Sequence, residues 1–166
     1  MHSAAVITIS DSRSAGTARD ESGPAAVALL RDMEIEVVDT RIIADDAIVI
    51  ATVVKELTGH ARLIVSTGGT GIGPRDVTPE AVRPLFDREL PGFGEIMRVG
   101  SFSKTPLSII SRGGAGIIGR SLVVMLPGSP RGVRDGLELL APAIKHVMKV
   151  LSTGSADCAT ASRPPA

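Results

Sequence analysis

Two aspartates and one glycine-rich run are the residues of this chain with the clearest chemical use. Thr67-Gly68-Gly69-Thr70-Gly71-Ile72-Gly73-Pro74 places four glycines in eight positions. Glycine is needed where backbone takes positive φ or approaches a ligand closely, and successive free N–H groups cradle an anion. Asp76 follows the run, and Asp45 follows an earlier β-rich stretch. Two carboxylates facing one crevice suit Mg²⁺, a hard cation that bridges one or two acids to substrate phosphates. Asp45 has a second reading, as the cap of the helix that follows it. Two further polar clusters, Ser10-Asp11-Ser12-Arg13 and Pro127-Gly128-Ser129-Pro130-Arg131, also come directly after apolar runs. The first can equally be a turn in which Asp11 and Ser12 bond local backbone. Arg13, Arg75 and Arg131 are the candidate cations for a phosphate.

The glycine run is neither of the two common nucleotide loops. Pro74 stands where a P-loop has its Lys-Ser/Thr pair, and Gly69-Thr70-Gly71-Ile72-Gly73 breaks the G-x-G-x-x-G spacing. A nucleotide here is held in another way.

These residues need elements to position them. Residues 63–66 read as a buried strand, and Val77-Thr78-Pro79-Glu80-Ala81 reads as a helix start. Thr78 is the expected cap, Pro79 fits the first helical position, and Glu80 complements the positive end of the dipole. Strand, glycine loop and helix start in that order make an anion site. Upstream, residues 4–10 read as a strand, 22–33 as a helix and 35–43 as a strand. Asp45-Asp46 then caps a helix that runs to Leu57 and stops before Gly59. That β-α-β-α-β order predicts a parallel sheet with right-handed crossovers. Downstream, a short helix continues to residue 86, a break covers 87–92, and 93–100 is helical, with Glu95 and Arg98 at surface-pair spacing. Residues 107–111 are too short to assign, and 112–120 form a glycine-rich hairpin or ribbon. A buried strand at 121–126 and a helix at 133–151 follow, so one domain spans 1–151, with a disordered tail at 152–166.

Composition narrows the function. At 166 residues, 43% hydrophobic and 22% charged, the chain is a globular domain with a sizeable core. Lys plus Arg equals Asp plus Glu at 18 each, which disfavours general binding to nucleic acid or anionic membrane. With no Trp or Tyr, an aromatic platform for stacking bases is not expected. The single cysteine, Cys158, forms no intrachain disulfide framework, and His2, His60 and His146 lack metal-ligand spacing. No signal sequence or membrane-length apolar stretch stands out, so the expected location is the cytoplasm.

Taken together, the motifs resemble one family: the molybdopterin-binding or molybdopterin adenylyltransferase domain of molybdenum cofactor biosynthesis, the fold of gephyrin's G domain. The resemblance runs over residues 6–151 and rests on five stretches in order. They are Ser10-Asp11-Ser12, the Thr67 to Gly71 run with Asp76-Val77-Thr78-Pro79-Glu80-Ala81, residues 90–98, residues 107–112, and Leu126-Pro127-Gly128-Ser129-Pro130. It implies a three-layer α/β/α sandwich with a mostly parallel sheet, assembled as a homotrimer. The implied reaction is Mg²⁺-dependent transfer of AMP from ATP to molybdopterin, with release of pyrophosphate and later contact with a molybdenum-insertion protein. Asp76 and Asp45 match the family's two acids, as catalytic and metal-holding residues. Ser10, Asp11, Ser12, Thr67, Gly68, Gly69, Thr70, Gly71 and Ser129 match the lining of the pterin–nucleotide crevice. The chain departs from the common pattern at Ala44 (often Pro), at Asp46 (often Glu) and at Pro130-Arg131, where many members have Lys. The alternative within the same pathway is a non-catalytic molybdopterin carrier. An unrelated nucleotide-binding scaffold is the third reading, and it predicts no bound pterin.

Overall fold

The computed structural model describes residues 3–154. Elements follow in the order β1 (Ser3–Ile9), α1 (Asp11–Ser14), α2 (Ser22–Asp32), β2 (Glu36–Ile43), α3 (Ala47–Leu57), β3 (Leu63–Thr67) and α4 (Thr78–Val82). Then come β4 (Arg88–Glu89), α5 (Pro91–Phe102), β5 (Gly114–Ile118), β6 (Ser121–Leu126) and α6 (Pro130–Thr153). Single 3-10 turns lie at Arg83–Leu85 and Pro106–Ile110.

The strands form one sheet in the order β2-β1-β3-β6-β5-β4. The pairs β1–β2, β1–β3 and β3–β6 are parallel, while β5 and β4 add an antiparallel edge. The glycine-rich stretch 112–120 thus supplies one arm of a β5–β6 hairpin, as one of its two readings had it. Parallel strands covered on both faces must be apolar throughout, and β3 and β6 are buried at every position. Their side chains alternate between two cores. Val6, Val65 and Val124 pack with Leu30 of α2, Met97 of α5 and Leu137, Leu140 and Ile144 of α6. Ile7, Ile64 and Val123 pack on the opposite face with Ile50, Val54 and Leu57 of α3 and Val82 of α4. Each fully buried Leu or Ile contributes about 1.5–3 kcal/mol by leaving water. This is the expected three-layer α/β/α sandwich.

Several local expectations are corrected. Asp46, not Asp45, caps α3: its Oδ1 accepts from the Ile48 and Val49 amides at 2.9 and 3.0 Å. Thr78 is the first residue of α4 rather than its cap, and its buried hydroxyl donates to the Gly68 carbonyl at 3.0 Å. The break at 87–92 holds the short strand β4, whose Arg88 pairs with Ile117, and α5 already begins at Pro91. Glu95 and Arg98 do not pair; Arg98 donates to the carbonyls of Ser111 and Gly113 at 3.2 and 3.3 Å. The last helix starts at Pro130, with Ser129 as its cap, and runs through Ser152 and Thr153. The tail expected at 152–166 therefore begins inside α6, and residues 155–166 lie outside the described ones.

Candidate active site

The parallel strands β1, β3 and β6 end side by side, and each runs directly into a polar loop. In open α/β sheets ligands bind beyond such carboxyl ends. A cavity of about 710 Å³ lies there. One wall is Ser10, Asp45, the Gly68–Gly71 backbone and Asp76; the other comes from α5, the 105–111 segment and the start of α6.

The loops touch because the strands are adjacent. The Gly68 amide donates to the Leu126 carbonyl at 3.2 Å, and the buried Thr67 hydroxyl donates to the Pro127 carbonyl at 2.8 Å. Gly69 has φ +63°, and a Cβ there would overlap the Thr78 hydroxyl and lie 3.1 Å from Asp45 Oδ1. No other residue type fits that position without strain. The Gly69, Thr70 and Gly71 amides have no protein acceptor among the described residues. They remain able to donate to an anion. The helix start beside these amides differs from the one read off the sequence. The α4 helix is a single turn, and the Thr78 amide is already committed to the Gly69 carbonyl at 3.0 Å. The helix whose start opens on the cavity is the 24-residue α6, through Ser129, Arg131 and Gly132.

Both acids reach the cavity, each held by its own bracket. Asp45 Oδ2 accepts from the Asp11 amide at 2.8 Å, while the Asp45 amide donates to Asp11 Oδ1 at 3.0 Å. Arg75 closes on the same Asp11 carboxylate from outside, through Nε at 2.9 Å and Nη2 at 3.0 Å. Burial pushes the Asp45 carboxyl above its ordinary range, and the nearby Asp11 and Asp76 charges add to this. The Arg75 guanidinium holds the Asp11 carboxyl below that range. Asp76 Oδ2 accepts from the Gly73 amide at 2.8 Å, and a Cβ on Gly71 would sit 2.7 Å from that oxygen. The turn is thus shaped around the carboxylate.

Of the residues expected at the crevice, Ser10, Asp45, Gly68, Gly69, Thr70, Gly71, Asp76 and Ser129 line it. Asp11, Ser12 and Thr67 do not. Asp11 brackets Asp45, the Ser12 hydroxyl lies 3.2 Å from that of Ser10, and Thr67 is spent on the Pro127 carbonyl. Ser129 lines the cavity with its hydroxyl accepting from the Gly132 amide at 3.0 Å, as a helix cap. Among the candidate cations, Arg75 is committed to Asp11 and Arg131 lies 3.7 Å from Asp135. Arg13 faces the cavity with only a 3.4 Å bond to the Arg19 carbonyl and Asp20 at 3.9 Å.

Two residues escaped sequence reasoning. Asp135 lines the far wall, 14% exposed and paired with Lys104 at 3.1 Å. Arg112 ends the 107–112 stretch and opens the glycine-rich one in the sequence reading, which assigned it no contact. It donates to the Gly71 and Asp76 carbonyls, both at 2.6 Å, and to the Glu80 carboxylate. That guanidinium holds the Glu80 carboxyl below its usual range. No helical or strand spacing links these partners, so no local sequence signal marked the contacts.

The fold and cavity define the class: an open α/β domain with a ligand crevice at its strand ends. Over residues 5–146 the chain matches the family described as "Probable molybdopterin binding domain". The chain belongs to that family. A relative named molybdopterin adenylyltransferase, from Helicobacter pylori strain J99, is 37% identical over 150 residues, covering 88% of this chain and 85% of the relative. A "Molybdenum cofactor biosynthesis bifunctional protein" from Synechococcus elongatus is 39% identical over 149 residues, but the match spans only 47% of that longer protein. The solved structure of the molybdopterin biosynthesis enzyme MoaB from Thermus thermophilus superposes with a TM-score of 0.87 at 38% identity, covering 93% of this chain and 98% of that one.

Proposed function

We propose that this chain is a Mg²⁺-dependent molybdopterin adenylyltransferase, a nucleotidyltransferase of molybdenum cofactor biosynthesis. A terminal phosphate oxygen of molybdopterin attacks the α-phosphorus of ATP, a new P–O bond forms, and the bond to the β-phosphate breaks to release pyrophosphate. One observation carries the reading: two carboxylates, Asp45 and Asp76, line one cavity together with the Gly69 to Gly71 stretch, whose amides have no acceptor among the described residues.

Such a transfer needs in-line geometry and neutralisation of charge on the α-phosphate. The Gly69 to Gly71 amides are available donors for phosphate oxygens. The start of α6 adds the positive end of a long helix dipole, and Arg13 adds a cation. Asp45 and Asp76 would hold Mg²⁺, which supplies Lewis-acid charge neutralisation when bound. Their donor set fits that ion. Both are hard oxygen ligands, and each keeps one oxygen, Asp45 Oδ1 and Asp76 Oδ1, without a hydrogen bond among the described residues. Among the described residues no group of three or more His, Cys, Asp or Glu forms a closed cage. A Mg²⁺ held there would leave positions for substrate phosphates and water.

The reading extends to a homotrimer acting in the cytoplasm that hands adenylyl-molybdopterin to a molybdenum-insertion protein. Among the described residues no helix is long and apolar enough to cross a membrane. The deciding experiment is single-turnover transfer from α-labelled ATP to molybdopterin with Mg²⁺. Label passes to the pterin with wild type, and Asp76→Asn lowers the rate by at least about 100-fold, because charge is lost with little change of shape. An Asp76→Asn variant at full rate removes Asp76 from the metal site. No label with wild type, with pterin still bound, leaves the carrier function.

A further inference from the structure

We infer that Arg112 is a positioning residue for the proposed transfer: it clamps the Gly71–Asp76 turn and so sets where the Asp76 carboxylate stands relative to Asp45. The inference rests on the adenylyl-transfer reading above.

Arg112 lies between the 3-10 turn Pro106–Ile110 and β5, outside the cavity wall. It reaches the stretch 70–80 four times. Its amide donates to the Thr70 carbonyl at 2.8 Å. Its Nε donates to the Gly71 carbonyl and its Nη2 to the Asp76 carbonyl, both at 2.6 Å, and its Nη1 meets the Glu80 carboxylate. Every nitrogen of one guanidinium is used, on acceptors that belong to a single stretch of ten residues. The first and last carbonyls of the turn, on Gly71 and Asp76, are thereby fixed to one rigid plane.

Inside the turn the Asp76 carboxylate bonds the Gly73 amide, and the Asp76 amide donates to the Gly73 carbonyl at 3.0 Å. Backbone and side chain of Asp76 are therefore anchored to the same small unit, and Arg112 anchors that unit to the sheet. The unit contains Gly71 and Gly73, which give it little stiffness of its own. Mg²⁺ demands near-octahedral geometry at short distances, so a carboxylate that wanders loses the ion before it loses its fold. Glu80 balances the guanidinium charge, which leaves a rigid fork rather than an added cation at the site. Lysine cannot reproduce it, since a point ammonium does not bond three coplanar acceptors.

The test compares wild type with Arg112→Lys in the full chain. In the ligand-free protein, hydrogen–deuterium exchange of the Gly73 and Asp76 amides, the hydrogen-bonded ones of the turn, is expected to quicken on the order of tenfold, with that of β1 and β6 unchanged. Single-turnover transfer is expected to slow roughly 10- to 100-fold, as a catalytic group misplaced by about 1 Å does. The half-saturating Mg²⁺ concentration is expected to rise while KM for ATP stays within about twofold. Unchanged exchange overturns the clamp. Quicker exchange with an unaltered Mg²⁺ requirement overturns the positioning role and leaves a structural one. If wild type itself transfers no AMP, the functional reading fails; the exchange measurement, which needs no substrate, still decides the clamp. Should Arg112→Lys not fold, Glu80→Gln weakens one of the three arms. Quicker exchange and a higher Mg²⁺ requirement, each by a smaller factor, are then expected, and their absence overturns the inference.

Discussion

At the scale of single residues, Asp45 shows how a site can be costly to its own fold. Its carboxyl is raised by burial and by the neighbouring Asp11 and Asp76 charges. A carboxyl whose folded pKa exceeds the unfolded one binds more protons folded than unfolded, so stability falls as pH rises between the two values. The penalty persists at neutral pH and vanishes below the carboxylate range. Asp45→Asn keeps an oxygen for the Asp11 amide and removes the charge. It is expected to melt above wild type at pH 7, with the gap closing as pH falls toward the unfolded Asp value, while AMP transfer is lost. Thermal denaturation across pH checks the sign, and a variant that melts lower at pH 7 contradicts it. Mg²⁺ with ATP is expected to raise the wild-type midpoint more than that of Asp45→Asn, since only a ligand held by the native state stabilises it.

Among the elements, α6 joins core and site. Its inward face, with Leu137, Leu140, Ile144 and Met148 buried, fixes the helix against the sheet, and its first turn then faces the cavity. Ser129 caps it through the Gly132 amide, with Pro130 at the start where a missing N–H costs nothing. Ser129→Ala is expected to lower stability by about 1 kcal/mol. For a domain of this size that is a drop of roughly 2–4 °C in Tm, readable by circular dichroism. An unchanged Tm means the cap contributes nothing beyond the dipole and packing.

For the whole molecule, α5 and the following turn leave Val99, Leu107 and Ile109 exposed at 73%, 73% and 61%, Leu107 at the cavity wall. Large apolar side chains this exposed on neighbouring elements are suited to a contact site, and the proposed self-association would cover them. Light scattering is expected to give three times the 17.1 kDa chain mass; a monomer at tens of micromolar contradicts the proposed trimer.

The apolar, β-rich runs of β1, β3 and β6 and the glycine run after β3 were legible in the sequence, because residue preference for buried strands and turn chemistry are local. So were Asp45 and Asp76, which stand next to elements that local signals mark. Their support was not legible. The Asp11–Asp45 bracket joins residues 34 apart, Arg75 reaches Asp11 across 64, and Arg112 reaches Gly71 across 41. Local pattern likewise left the cap of α3 shared between Asp45 and Asp46, and only β2 and β1 lying side by side turned Asp45 toward Asp11. The sequence by itself determined which groups could bind an anion and a hard cation. The tertiary structure decided which of them meet, because that depends on strand order, and strand order follows from packing two faces of one sheet at once.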